Sequence, residues 1–383
     1  MIETKRILPT GKSSMSILTA LVAAVALCCL VGAATLAAPA RAVPKAPSGF
    51  LGIVPQEGLN RLDTQRMKRG KVKSVRVAVG WDLIQPRSAE KYEWGALDET
   101  IRVAAREGVR IMPTLYATPA WMSKRTTNLP VANGNQLDKW RKFVKAAVQR
   151  YGSDGEFWEE PHQVQSKLPK TPVREWQIWN EANFHYFATP VSPAKYGRLL
   201  DASARVIHNN DPKAEVVVSG LFARPKGSKR QAMDATDFVR KLARYSKKSS
   251  VDSLALHPYA KDTSTLKQIM KQFRRAAIDA GFRSKSIQVT EIGWGSGPAT
   301  NSFLKGSKGA QARQLSSAFE YLIKDRRKLR LKNVYWFAWQ DTDPKGVNCS
   351  FCYTIGLIEW HKGKKLVAKP AWRKFVKFTR GRP

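Results

Sequence analysis

The chain has 383 residues, 43% of them hydrophobic, with 12 Trp and 15 Phe, a composition that can bury a large core and excludes a disordered chain. Lys and Arg number 66 against 30 Asp and Glu, a net charge of +36, which speaks of partners and not of fold. The bases are spread along helices and loops, such as Arg141, Lys142 and Lys145 or Lys267 and Lys271. They are not gathered in a specific nucleic-acid motif.

In chain order, Lys5, Arg6 and Lys12 precede an Ala/Leu/Val run from Ile17 to Ala38. Ala40 and Ala42 then place small residues at the two positions a signal peptidase reads, so residues 1–42 read as an export signal. Cleavage would remove four bases and one acid and leave residues 43–383 at +33, secreted or on the extracytoplasmic surface. The run is 22 residues long, so an uncleaved membrane anchor through residues 17–38 stays open. Past it, only Cys349 and Cys352 remain, and in an exported chain such a pair is expected to form a short-loop disulfide.

Residues 49–54 are the first strand candidate, followed by a helix over 58–69. Strand 72–81, with Val75, Val77 and Val79 alternating with other residues, precedes helix 97–107. Strand 109–116 precedes helix 137–151, whose Leu137, Trp140, Phe143, Val144, Ala147 and Val148 share one face. Strand 175–183 precedes helix 194–209, which Ser192 caps and Pro193 opens. Strands 215–221, 251–259, 287–294 and 334–340 follow, each with its helix: 235–245, 264–280, 311–328 and 370–378. Eight strand-then-helix units are the count of a (β/α)8 barrel.

Residues 43–383 exceed a minimal barrel of ~250 residues, and much of the surplus follows strands, at 117–136, 222–234, 295–310 and 341–369. Loops after strands line the catalytic face of a barrel, so the extra mass is expected to build a cleft. The insertion 153–171 precedes the fourth strand and falls outside that rule.

Two of these strands end in a carboxylate. The run from Glu175 to Asn183 is apolar and then breaks into Asn180, Glu181 and Asn183, and the run from Ser286 to Trp294 carries Glu291 near its exit. In a barrel both exits reach one rim, where a protonated acid and an ionised carboxylate can act on a glycosidic bond. A lone strand-end Glu is more simply a surface ion-pair partner. Two of them in this setting favour chemistry.

Trp-Asn-Glu181-Ala-Asn at the fourth strand and Thr-Glu291-Ile-Gly-Trp at the seventh resemble the acid/base and nucleophile motifs of clan A glycoside hydrolases. Trp-Gln-Ile-Trp-Asn-Glu-Ala-Asn is most similar to family 39, although that family usually has Pro where Ala182 stands. The resemblance implies a single retaining (β/α)8 domain with Glu181 as general acid/base and Glu291 as nucleophile, their carboxyls roughly 5–5.5 Å apart. It further implies that Asn180 binds the sugar 2-hydroxyl, that Tyr259 holds the nucleophile ionised, that His257 and Arg76 stand beside the pair, and that Trp339 is a sugar platform.

Trp81, Trp121, Trp294, Trp336 and Trp339 all fall near strand ends, where an indole face suits a pyranose; Trp294 is expected to join the substrate site, while Trp336 is equally well a core residue. The sequence contains no phosphate loop, His/Asp metal cluster or Gly-x-Ser-x-Gly elbow, so no cofactor or metal is expected. The expected partner is a β-linked carbohydrate, anionic if the bases of the post-strand loops (Lys124, Arg125, Arg224, Lys226, Lys229, Arg230, Lys305, Lys308, Lys345) select it. The rival from another class is a basic barrel that binds an anionic polymer or the cell envelope without cleaving it. Salt separates the two, because adhesion by counterion release collapses as ionic strength rises.

Overall fold

The computed structural model describes residues 43–297, 303–343, 352–359 and 367–383. The expected export segment, Lys345 and Cys349 lie outside them; Cys352 is disulfide-bonded. Among the described residues no helix is long and apolar enough to cross a membrane.

Eight strands pair in parallel: β1 Leu51–Val54, β2 Ser74–Gly80, β3 Arg110–Tyr116, β4 Glu175–Ile178, β5 Glu215–Val217, β6 Ser253–His257, β7 Ser286–Ile292 and β8 Leu331–Phe337. The last returns to the first, with Val54 opposite Phe337, and the sheet closes. Helices α1 Arg61–Arg69, α2 Gly95–Arg106, α3 Gly134–Tyr151, α4 Pro193–Asn210, α5 Ala235–Leu242, α6 Thr263–Asp279, α7 Lys308–Lys324 and α8 Pro370–Thr379 alternate with the strands.

A closed parallel sheet is covered on both faces, which is why all five residues of β6 are buried. The apolar face expected on α3 is the buried one. Asn60, Asn133, Ser192, Asp262 and Ser307 each accept a first-turn backbone N–H and start α1, α3, α4, α6 and α7. Inside the barrel, Val54, Met112, Val217, Ala255 and Tyr335 pack together beneath Phe337. Gly52 makes that possible, because a Cβ there would lie 2.5 Å from the Tyr335 ring.

Three expectations shift. The fourth strand stops at Ile178 instead of Asn183, because Trp179 and Glu181 take left-handed φ values of 68° and 38°. The fifth pairs in two pieces, β5 and a two-residue continuation at Leu221–Phe222, with the Ser219 N–H donated to the Tyr196 hydroxyl between them. The eighth runs from Leu331 to Phe337, so it ends three residues before Gln340.

The insertion 153–171 has a structural role. It folds as a 3-10 turn, Glu156–Glu159, and a short helix, Pro161–Gln165, burying Phe157 and Trp158. The Arg150 guanidinium of α3 joins Asp98 of α2 to Glu160 of the insertion, each at 2.7 Å. The segment therefore ties two outer helices together away from the strand exits.

Candidate active site

The strand exits bring Arg76, Gln177, Asn180, Glu181, His257, Tyr259 and Glu291 into one hydrogen-bonded group. Arg76, from the middle of β2, points into the barrel. Its Nη1 donates to Glu291 Oε1 at 2.6 Å, its Nη2 to Asn180 Oδ1 at 2.6 Å and its Nε to Gln177 Oε1 at 2.5 Å. The Tyr259 hydroxyl donates to Glu291 Oε2 at 2.8 Å. His257 Nδ1 lies 2.7 Å from Glu181 Oε1 and 3.5 Å from Glu291 Oε2.

Glu181 and Glu291 are both buried, and oxygens of the two carboxylates and a nitrogen of His257 lie within 4.8 Å of one another. The left-handed backbone at Trp179 and Glu181 turns the chain out of β4, a conformation that non-glycine residues adopt mainly where surroundings enforce it. Asn183 supplies part of that enforcement. Its side chain donates to the carbonyls of Phe222 and Met233 and accepts the Phe222 N–H.

The two carboxylates are wired unequally. Burial, and then the charge of Glu291, push Glu181 well above the usual carboxylate range, with Arg76 opposing. Burial raises Glu291 as well, but less far, because Arg76 and the Tyr259 hydroxyl oppose it. A site in which one carboxyl keeps its proton more tightly than its neighbour can divide acid and nucleophile work between them.

Burial, with Arg76 nearby, depresses the imidazole of His257 well below its ordinary range, so the ring is neutral. Its Nε2 has no hydrogen-bond partner, which fits the tautomer with the proton on Nδ1 donated to Glu181, since a bare lone pair is the less costly atom to leave unpaired. The interruption of β5 makes room for this ring. A Cβ on Gly220 would fall 1.9 Å from Nε2.

Glu181, His257 and Glu291 are also of a type that holds cations. A cation there would sit against the fixed positive charge of Arg76, whose guanidinium holds one Glu291 oxygen while the Tyr259 hydroxyl holds the other. The residues therefore do not fit a metal.

Gln177 went unnoticed in the sequence. It accepts from Arg76 and from Thr114 Oγ1 (2.9 Å), and its amide donates to the Val218 carbonyl at 3.0 Å. Its signal was an amide between Trp176 and Ile178 in an otherwise apolar run.

Two expected substrate contacts are corrected. Trp339 is 1% exposed, donates its indole N–H to Asp63 Oδ1 at 2.8 Å and packs edge-on to Trp372 of α8. Trp294 is 3% exposed, donates to the Ala260 carbonyl and packs against Trp336. Neither offers an open face; Trp339 turns under the rim because the eighth strand ends earlier than expected. The partly exposed rings near the carboxylates are instead Phe184, Phe222 and Phe337, linked in series through Tyr259 at centroid distances of 5.5, 5.8 and 6.3 Å, with Tyr116 and Phe187 as a separate pair.

Of the loop bases, Lys124, Arg125, Lys226, Lys229, Arg230 and Lys305 are exposed. Arg224 is hydrogen-bonded to Gln272 and Lys308 is paired with Glu359 at 2.6 Å. Asp82, just past β2, puts one partly buried acid near the same end.

Comparison with known proteins gives a family model, described as Beta-galactosidase, that matches residues 55–193, less than half of the chain. No curated protein sequence matches. Among solved structures, a family 39 glycoside hydrolase from the gut symbiont Bacteroides cellulosilyticus WH2 is 17% identical with a TM-score of 0.62, covering 88% of this chain and 65% of its own. A monomeric beta-xylosidase from Caulobacter crescentus CB15 is 16% identical with a TM-score of 0.60, covering 88% of this chain and 69% of its own. A GH5_18 structure from Streptomyces cattleya, in complex with Manb1-4GlcNAc, is 15% identical with a TM-score of 0.61, covering 84% and 74%. The chain thus spans slightly less than two thirds of the first of these. At such identities the structural likeness establishes the closed parallel barrel. Together with the family-model match it bears out the resemblance to clan A glycoside hydrolases.

Proposed function

We propose that this chain is an exported retaining glycoside hydrolase that cleaves a β-linked oligo- or polysaccharide through a covalent glycosyl-enzyme. The observation that carries the reading is the unequal wiring of two carboxylates whose oxygens lie within 4.8 Å. Oxygens this close fit the roughly 5–5.5 Å carboxyl separation of a retaining pair better than the roughly 6.5–9.5 Å that leaves room for an inverting water.

In the first step Glu291 attacks the anomeric carbon as the Glu181 carboxylic acid gives its proton to the glycosidic oxygen, and the leaving alcohol departs. Loss of that proton makes Glu181 a base. It then takes a proton from water, the water oxygen attacks the anomeric carbon, and Glu291 is released. Arg76 and Tyr259 keep Glu291 anionic before attack, and His257 orients Glu181 through Nδ1. Asn180 has its oxygen on Arg76, which can only donate, so its NH2 group is left for a sugar hydroxyl.

The exposed bases Lys124, Arg125, Lys226, Lys229 and Arg230 on the post-strand loops support a substrate bearing uronate, phosphate or another anionic group, and the segment 1–42 supports export. Comparing kcat/KM for matched acidic and neutral glycans across a salt series tests the charge preference. For the chemistry, Glu291→Ala should abolish turnover of an activated aryl β-glycoside, and azide should restore it as the α-glycosyl azide. Undiminished hydrolysis by Glu291→Ala ends the assignment.

A further inference from the structure

The opposite end of the barrel carries a feature the catalytic reading does not use. Two adjoining cavities of about 570 and 500 Å³ open at the strand entries and share residues 47–49 and Arg326. Their lining includes Lys45, Lys71, Lys73, Arg110 and Arg327, and no Asp or Glu. All five of these bases are exposed, and among the described residues none forms an ion pair. Lys332, by contrast, also lines the first cavity but is spent on Glu175 and Glu215 at 2.8 and 2.6 Å.

We propose that this strand-entry face binds a phosphate-bearing linear polymer and holds it at the end of the barrel remote from the carboxylates. The proposal does not rest on the glycosidase reading. Its bases come from separate chain segments, before β1, before β2, at the start of β3 and before β8. Cations arriving from several sides suit an oxyanion with acceptor oxygens on three sides, and the Arg forks among them bind phosphate in bidentate fashion. The one aromatic side chain in the lining, Phe50, is buried, so the face offers neither stacking for nucleobases nor a platform for sugar rings. Recognition here is by charge, and a polymer held on this face leaves the strand exits open.

The test uses the chain over residues 43–383 and long-chain sodium polyphosphate as probe, with binding followed by calorimetry over a salt series. A variant with Lys71→Ala, Lys73→Ala, Arg110→Ala and Arg327→Ala is compared with one carrying Lys142→Ala, Lys145→Ala, Lys271→Ala and Lys374→Ala. The second removes the same charge from exposed helix faces and controls for bulk electrostatics. At about fivefold per surface base, the four substitutions of the first variant should together cost on the order of 600-fold in affinity and flatten the salt dependence, while the second loses little. Equal losses in both would overturn the localised site, as would no loss in either. Tighter binding of the carboxylate polymer polygalacturonate than of polyphosphate, abolished by the same four substitutions, would overturn the assignment to phosphate polymers. Thermal unfolding of both variants guards against misfolding, and two single variants, Lys73→Ala and Arg110→Ala, should each show a part of the loss.

Discussion

Tyr259→Phe isolates one bond of the proposed machinery. The ring contacts with Phe222 and Phe337 survive the change, and the hydroxyl that donates to Glu291 Oε2 over 2.8 Å is removed. A hydrogen bond to a charged acceptor contributes about 1.5–3 kcal/mol. The bond stabilises ionised Glu291, so without it burial is less opposed and the carboxyl binds its proton more tightly. The acidic limb of kcat/KM, which reports ionisation of the nucleophile in the free enzyme, therefore moves to higher pH. On that limb the loss should reach about 10- to 150-fold. On the plateau it should be smaller, because Glu291 gives up its charge as it bonds to the anomeric carbon. The assay is a pH series of kcat/KM on an aryl β-glycoside. A loss that is uniform with pH, with the acidic limb unmoved, would refute the assignment of Tyr259 to holding Glu291 ionised.

Glu181→Gln should lower kcat/KM for glycosides with poor leaving groups by orders of magnitude while sparing kcat/KM for a dinitrophenyl glycoside, whose departure needs no proton; equal losses of kcat/KM on both would remove Glu181 as the acid. Gly220→Ala should cost about 1–3 kcal/mol of stability through its collision with the His257 ring, seen as a lowered Tm together with lost activity. Trp339→Ala should cost about 3–5 kcal/mol and lower Tm, whereas a rise in KM at unchanged Tm would return that residue to the substrate site.

Much of this arrangement was legible in the sequence. The strand-then-helix alternation was visible because each parallel strand, covered on both faces, is a short apolar run, and each helix buries a stripe. Glu181 and Glu291 stood out because a carboxylate at the end of such a run does not serve to fill an apolar core. Other features depend on where a strand stops, which apolar periodicity does not reveal. Setting the eighth strand three residues late put Trp339 at the rim and hid Phe337, the residue that lies there. Gly220 fell inside the expected strand 215–221 without a visible role, since its requirement comes from His257, which is distant in sequence. Gln177 was passed over because an inward amide on a strand reads as a packing exception until Arg76 is placed against it.

The central claim is that Glu291 forms a glycosyl ester during turnover. Incubation with a 2-deoxy-2-fluoro β-glycoside carrying an activated leaving group, matched to a sugar the enzyme turns over, slows hydrolysis of that ester and allows it to be mapped by mass spectrometry of proteolytic peptides. The account predicts time-dependent inactivation and a single fluoroglycosyl adduct on the peptide containing Glu291. An adduct on another residue, or continued turnover of the parent glycoside with no adduct formed, would contradict it.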